Sequence, residues 1–251
     1  MVELVISDAN FFKKCVDAIV NLVDEGTFVI SKDGLHLRTM DPSQIAMIDF
    51  FMPKSAFSKI EVEDKFSLGV NLADLSKILA RTRGDEKLSI SVDEKESKLV
   101  LDFSGHSKRH FKLPLLESSS SLPKEPKVEF DASVKLKGRA FKDVLHDAGL
   151  ISSHVVLQAD DSAFVVEAHG DSGDLHVETL KDSENVVDGG ISVKGKSRAM
   201  FPYQYLDDMT RACPDDSAVS VNLKSDAPVK VSFEIGDARI SYYLAPRVEN
   251  I

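Results

Sequence analysis

Nearby carboxylates that could do acid–base chemistry occur at Asp160 with Asp161, Asp171 with Asp174, and Asp215 with Asp216. Two carboxyls held side by side can divide into a general acid and a general base. Each pair here falls in a segment that reads as a turn, where Asp caps backbone groups. The sequence has no Gly-x-Ser-x-Gly, no Walker-type loop and no His-Glu-x-x-His. Neither Ser197-Arg198-Ala199 nor Gly189-Gly190 has the context of a phosphate loop. Seven histidines are scattered singly, without metal spacing, and Cys15 and Cys213 form no Cys-x-x-Cys. Each cysteine lies in a stretch that reads as helical, so both are expected to be reduced core thiols. The expectation is a chain with no catalytic residues, no metal and no cofactor.

A chain of 251 residues forms one large domain or two of ordinary size. With 43% hydrophobic and 29% charged residues it reads as an ordinary soluble globular protein. No apolar run approaches the roughly 18 residues of a membrane span. The start, Met1-Val2-Glu3-Leu4, lacks a basic region and an apolar region, which argues against secretion. The net charge of -10 argues, taken alone, against nucleic acid as a partner. A DNA-binding reading therefore requires that positive charge be concentrated somewhere.

The elements that would hold such charge are duplicated. At a shift of 129 residues, Phe12 falls on Phe141, Val16 on Leu145, Leu35 on Phe164, Leu37 on Val166 and Ile48 on Val177, with no gap from Phe12 to Phe50. Later, Leu75 falls on Leu206 and Ile78 on Met209 at 131, and the strand from Leu99 to Phe103 falls on Val229 to Phe233 at 130. A one-residue slip must then be absorbed in a turn, because strand faces alternate. Phe111-Lys112-Leu113-Pro114 and Tyr243-Leu244-Ala245-Pro246 close the two halves alike. Two domains are expected, residues 1–116 and 129–251. Between them runs a Ser- and Pro-rich linker, residues 117–128.

Apolar spacings of three and four predict helices over residues 11–23, 72–82, 139–150 and 202–213. Asn71 is the expected cap of the second. Alternating runs such as 87–92 and 229–233 predict strands, with hairpin turns at Asp33-Gly34 and around Gly236. The fold class is α+β, with two repeated domains, each built from two helix-plus-antiparallel-strand units. The expected outward faces carry Lys13, Lys14, Asp17, Asn21, Asp74, Lys77, Arg81, Arg139, Lys142, His146, Asp207, Asp208 and Arg211. Buried partners include Ile78 and Val144. Across the helical segments, counting Arg83 beyond the second, eight bases face six acids, in a chain with 31 basic and 41 acidic residues. The helices are depleted in acid relative to everything else.

Phe12-Lys13-Lys14, Asp33-Gly34-Leu35, Met40-Asp41-Pro42-Ser43, Gly69-Val70-Asn71-Leu72, Leu75-Ser76-Lys77-Ile78-Leu79 and Tyr242-Tyr243-Leu244-Ala245-Pro246 occur in one order and spacing. Together they closely resemble the proliferating cell nuclear antigen family, the DNA sliding clamps of archaea and eukaryotes. Met40-Asp41-Pro42-Ser43 and the Ile251 end make the chain look archaeal. The resemblance implies a trimeric, pseudo-sixfold ring lined by helices. It assigns DNA contact to Lys13, Lys14, Lys77, Arg81, Lys142, His146 and Arg211. His146 falls where relatives carry a basic residue, and Val20 where some carry lysine.

The same resemblance implies a pocket under the linker for an extended peptide with a Gln and paired aromatics. Its residues would be Met40, Gln44, Ile45, Met47, Leu122, Pro123, Pro126, Phe130, Pro228, Tyr243, Ala245 and Pro246. The implied partners are duplex DNA, DNA polymerase, the clamp loader, flap nuclease and ligase, with no membrane. The location is intracellular, cytoplasm in an archaeon or nucleus in a eukaryote. Subunits would join by sheet continuation, Arg109, His110, Phe111, Lys112 and Leu113 pairing antiparallel with residues 173–181, including Leu175, Val177 and Thr179. Proline at His110 or Val177 is expected to remove a ladder donor from that seam. An enzyme, a checkpoint-clamp subunit of the same fold, and a heterotrimer with paralogues are the alternatives.

Overall fold

The computed structural model describes residues 2–118 and 122–247. Linker residues 119–121 and the end of the chain, including Ile251, lie outside the described residues. Two compact units divide the chain. Unit one is Met1–Pro42, Ile48–Lys124 and Ile235–Ile240; unit two is Ser43–Met47, Glu125–Glu234 and Ser241–Ile251.

Unit one runs β1 (Glu3–Ile6), α1 (Ala9–Val20), β2 (Glu25–Ser31), β3 (Gly34–Met40), β4 (Ala46–Pro53), β5 (Lys59–Glu61), β6 (Phe66–Asn71), α2 (Leu72–Leu79), β7 (Lys87–Asp93), β8 (Lys98–Ser104) and β9 (Lys108–Pro114). Its strands order as β5-β1-β7-β8-β9 and as β6-β2-β3-β4. Unit two repeats the plan with β10 (Ala132–Lys137), α3 (Gly138–Gly149), β11 (His154–Ala159), β12 (Ala163–Gly170), β13 (Gly173–Leu180), β14 (Val186–Val193), β15 (Ser197–Pro202), α4 (Tyr203–Thr210), β16 (Ala218–Leu223) and β17 (Val229–Ile235). Its orders are β14-β10-β16-β17 and β13-β12-β11-β15. A last strand, β18 (Ala238–Leu244), contributes residues to both units, as do β4, through Ala46 and Met47, and β17, through Ile235. The pairings are antiparallel.

Local chemistry explains where the helices begin and end. Asp8 accepts from Asn10 N at 2.8 Å and caps α1. Asn71 accepts from Asp74 N at 2.8 Å and caps α2, as its sequence predicts. Both second helices are shorter than the apolar spacing suggests. Thr82 Oγ1 donates to the Leu79 carbonyl at 2.7 Å and Thr210 Oγ1 to the Leu206 carbonyl at 2.8 Å, ending the regular ladder early. Cys213 consequently lies in the turn after α4 rather than inside a helix, though it is still buried. Phe12, Cys15, Val16 and Ile19 of α1 and Phe141, Leu145 and Ala148 of α3 face the core. Burial of a large apolar side chain contributes about 1.5–3 kcal/mol. Ile78, Val144, Asp207 and Asp208 are half-buried, so they belong to neither the core nor the free face.

Strand register tests the repeat. Ile90 pairs with Leu101, and Val221 with Val231. The shift is 131 on the first strand of each pair and 130 on the second, so the turn between them absorbs one residue as expected. The expectation of a gapless match to Phe50 is corrected. Lys54 N donates to the Asp33 carbonyl at 2.8 Å, and Lys181 N to the Ser162 carbonyl at 3.0 Å. Asp33 and Ser162 are 129 apart, but Lys54 and Lys181 are 127 apart. Phe50, not Ile48, therefore occupies the place of Val177. A two-residue offset keeps every side chain on its face, which is why the alternating pattern conceals it. The extra residues sit in the connection from Asp41 to Ile45, where Gln44 adopts a left-handed φ of 59°.

Candidate functional site

α1 packs on α2, and α3 on α4. Ser76 Oγ donates to Asp17 at 3.2 Å, while His146 Nε2 lies 3.3 Å from Asp207. These are equivalent positions with the acid on opposite helices. Lys13 pairs with Asp17 at 2.5 Å and Lys77 with Asp74 at 2.9 Å. The Asp74 hydrogen bond raises the Lys77 pKa above its ordinary value. Arg211 lies 2.7 Å from both Asp207 and Asp208. The Lys77–Asp74 pair is exposed, and such a pair contributes at most about 1 kcal/mol, whereas Asp17, Asp207 and Asp208 are half-buried. Lys14 and Arg81 are exposed and make no ion pair among the described residues. Lys142 departs from the expected free outward position. It is half-buried, donates to the Cys213 carbonyl at 2.9 Å and pairs with Asp215, which ties it to the loop after α4.

The carboxylate pairs serve turns and pairings. Asp160 accepts from Ser162 N at 3.0 Å, Ser162 Oγ at 2.7 Å and Ala163 N at 3.2 Å, and these bonds, the Ser162 hydroxyl foremost, hold its carboxyl below the ordinary value. Asp174 pairs with His169 at 2.7 Å. Among the described residues no group of three His, Cys, Asp or Glu is placed to hold a metal. Burial pushes the Cys15 thiol up to about 12 and the Cys213 thiol up to about 11.

The linker is held by side chains that sequence reasoning did not single out. In unit one, Arg38 Nη1 donates to the Pro123 carbonyl at 3.3 Å and Nη2 to Asp49 at 2.9 Å, and His36 bonds the other Asp49 oxygen at 2.6 Å. Burial pushes the Asp49 carboxyl up, but the bonds and charges of His36 and Arg38 outweigh it and leave the pKa lowered. In unit two, Glu125 accepts from the Tyr243 hydroxyl and lies 3.4 Å from Lys230, whose ammonium sits 5.0 Å from the Tyr243 ring centre. Ala245 N donates to the Ile45 carbonyl at 2.8 Å, fixing the Gln44–Ile45 turn beside the closing segment. Of the predicted pocket residues, Met40, Leu122 and Pro123 belong to unit one, the rest to unit two. Ile45, Pro126, Phe130, Pro228, Ala245 and Pro246 are half-buried and Gln44 is exposed. Met47 is only 5% exposed. Tyr243 is likewise buried, with its hydroxyl on Glu125.

β9 and β13 each terminate a sheet order; β9 alternates exposed with half-buried residues throughout, and β13 does so from Asp174 onward. Phe111, Leu113, Leu175, Val177 and Thr179 are the half-buried set, and Leu180 is 50% exposed. Arg109 turns inward, where it pairs with Glu86, donates to the Arg81 carbonyl at 3.0 Å and lies 4.7 Å from the Phe103 ring centre. Hydrogen-bond parity corrects one sequence expectation. Leu115 N donates to the Ser97 carbonyl and Lys181 N to the Ser162 carbonyl, and both registers run on unbroken. Backbone donors alternate sides along a strand. Odd-numbered residues of both strands therefore bond inward, and the even-numbered ones point to the free edge. His110 presents an edge donor; Val177 does not, since its N–H faces β12.

Paired helices on duplicated antiparallel sheets, with an acidic chain sparing those helices, are the architecture of the sliding clamps. The models of the proliferating cell nuclear antigen N-terminal and C-terminal domains match residues 1–118 and 124–248, and the chain belongs to that family. It is 36% identical over 242 residues to a DNA polymerase sliding clamp of Methanococcus maripaludis, covering 95% of this chain and 96% of the relative. It is 32% identical over 251 residues to that of Thermofilum pendens, covering 99% and 100%. The crystal structure of the Thermococcus kodakaraensis antigen shares the fold, with TM-score 0.92, 23% identity and coverage of 98% and 100%. The A. fulgidus antigen, solved with the C-terminal region of FEN-1 bound, matches with TM-score 0.88, 25% identity and full coverage of both chains.

Proposed function

We propose that this chain is a non-catalytic processivity clamp, an intracellular protein whose copies close a trimeric ring around duplex DNA and tether replication and repair proteins. Residues 1–116 and 129–251 are its two domains, and 117–128 the connecting linker. Lys13, Lys14, Lys77, Arg81 and Arg211 meet the phosphates, with no base readout. Such contacts look alike at every register, which suits sliding. DNA polymerase, the clamp loader, flap nuclease and ligase dock through Gln-plus-aromatic peptides at the half-buried apolar residues around Ile45 and the linker. Subunits join through β9 and β13. The observation that carries the encirclement reading is the pair Lys14 and Arg81, exposed and without a counter-ion among the described residues, on helices of a chain with net charge -10.

The test is retention on DNA. Wild-type ring, placed on circular DNA by a loader, is expected to stay through a salt series that strips it from short linear duplex. Equal loss from both forms would favour an ordinary surface binder. Replacing Lys14, Lys77, Arg81 and Arg211 with Ala should leave folding nearly intact, since surface changes cost within about 0.5 kcal/mol each. Affinity for linear duplex should fall and its salt slope should flatten by roughly 0.9 per lost phosphate contact. Sequence preference and peptide docking should not change.

A further inference from the structure

Each seam edge carries its charges on the same set of residues that carries its free backbone donors. Even-numbered residues of β9, up to Pro114, which has no N–H, and of β13 point their N–H groups outward, and their side chains are the exposed ones. An antiparallel seam bonds residues whose donors face each other, so even-numbered residues of one copy must lie opposite even-numbered residues of the next. On β9 these are Lys108, His110 and Lys112, a basic row. On β13 they are Asp174, His176 and Glu178, an acidic row around one histidine. Within its own chain, Lys112 lies 3.0 Å from Asp93 and 3.1 Å from Glu96, and Asp174 bonds His169. Lys108 and Glu178 alone in the two rows lack an ion pair among the described residues. His110 and His176 each bond a carboxylate of the strand behind, Asp102 at 2.7 Å and Glu167 at 3.1 Å.

We infer that Lys108 of one copy pairs across the seam with Glu178 of the next, with His110 opposite His176 and Lys112 opposite Asp174. This rests on the β9–β13 seam proposed above and adds its register and its specificity. Parity excludes every odd offset, and among the even ones that keep both lysines opposite β13 this is the offset that sets both against acids. Shifting by two residues brings Lys108 against Leu180 or against His176. β5, the opposite edge of the β9 sheet, offers no such match: it is three residues long and its Lys59 is already held by Glu3 at 2.6 Å and Glu61 at 3.1 Å. Because one chain carries both the basic and the acidic edge, head-to-tail contact between identical copies satisfies the ladder, and no paralogue is required. The pairs are exposed, so they set register and partner choice more than raw affinity, and salt weakens them.

Charge exchange tests this on the full-length protein, by sedimentation over dilution and salt series. Lys108→Glu and Glu178→Lys, each alone, should weaken trimer association by about three- to tenfold at low salt, with the difference fading at high salt. The double exchange Lys108→Glu/Glu178→Lys should recover wild-type association. Single variants that associate like wild type, or a folded double variant that does not recover, would overturn the ladder. His110→Pro separates the two levels. If it dissociates the ring while the exchanges are silent, the seam stands and the ladder falls; if it leaves the trimer intact, the seam reading itself is wrong.

Discussion

His110→Pro is expected to convert the ring to single chains under conditions where the wild type remains trimeric. His110 presents its N–H to the free edge of β9, so proline removes one seam donor and leaves the β8–β9 bonds in place. A lost hydrogen bond costs about 0.5–1.5 kcal/mol. The pyrrolidine ring also occupies the space that the neighbouring strand must enter, which breaks flanking bonds. Together these raise the dissociation constant of each seam on the order of tenfold or more. The same substitution at Val177 should behave differently. It removes a bond to Val166 inside the β12–β13 hairpin, and thermal unfolding should fall along with association. Sedimentation beside a melting curve distinguishes the two. A trimer that survives His110→Pro at high dilution would place closure elsewhere.

Ile45→Asp is expected to abolish peptide docking while the ring persists. Ile45 contributes its carbonyl to Ala245 N at 2.8 Å, and that bond does not depend on the side chain. The side chain is half-buried, so an aspartate there remains hydrated in the free protein. A docked peptide would cover it and strip that water from an unpaired charge, at a cost of several kcal/mol. Calorimetric titration with a peptide bearing a Gln and two aromatics should lose about a hundredfold or more in affinity. Undiminished binding would move the docking surface away from this turn. Met47→Asp should instead unfold unit two, because that side chain lies in the core.

Much of this was legible in the residues. The apolar spacing of Phe12, Cys15, Val16 and Ile19 and of Phe141, Leu145 and Ala148 marks two helices, and the 131-to-130 slip is visible in the alternating strands. What escaped has physical causes. A two-residue insertion before β4 preserves strand parity, so the pattern does not register it. Lys142 reads as solvent-facing because its partners, Asp215 and the Cys213 carbonyl, come from a loop some seventy residues later. Arg109 reads as an edge cation because nothing local reveals Glu86 across the unit. For Val177 the alternation reveals the face of the side chain, but the direction of the N–H is decided by which neighbour β13 already bonds. Glu125, between two prolines of the linker, carries a signal only once Tyr243 and Lys230 are brought beside it.

The two native thiols also settle how this protein can be instrumented. A thiolate is the species that attacks maleimides and disulfides, and burial of Cys15 and Cys213 pushes their pKa values to about 12 and about 11. With no other cysteine in the 251 residues, the folded surface is silent to thiol chemistry at neutral pH. A cysteine introduced at Lys108 or Glu178 would be the lone reactive group on its copy. No background removal is needed before a fluorophore, a spin label or a crosslinker is attached there, and the chain is a ready host for watching a ring open and close on DNA.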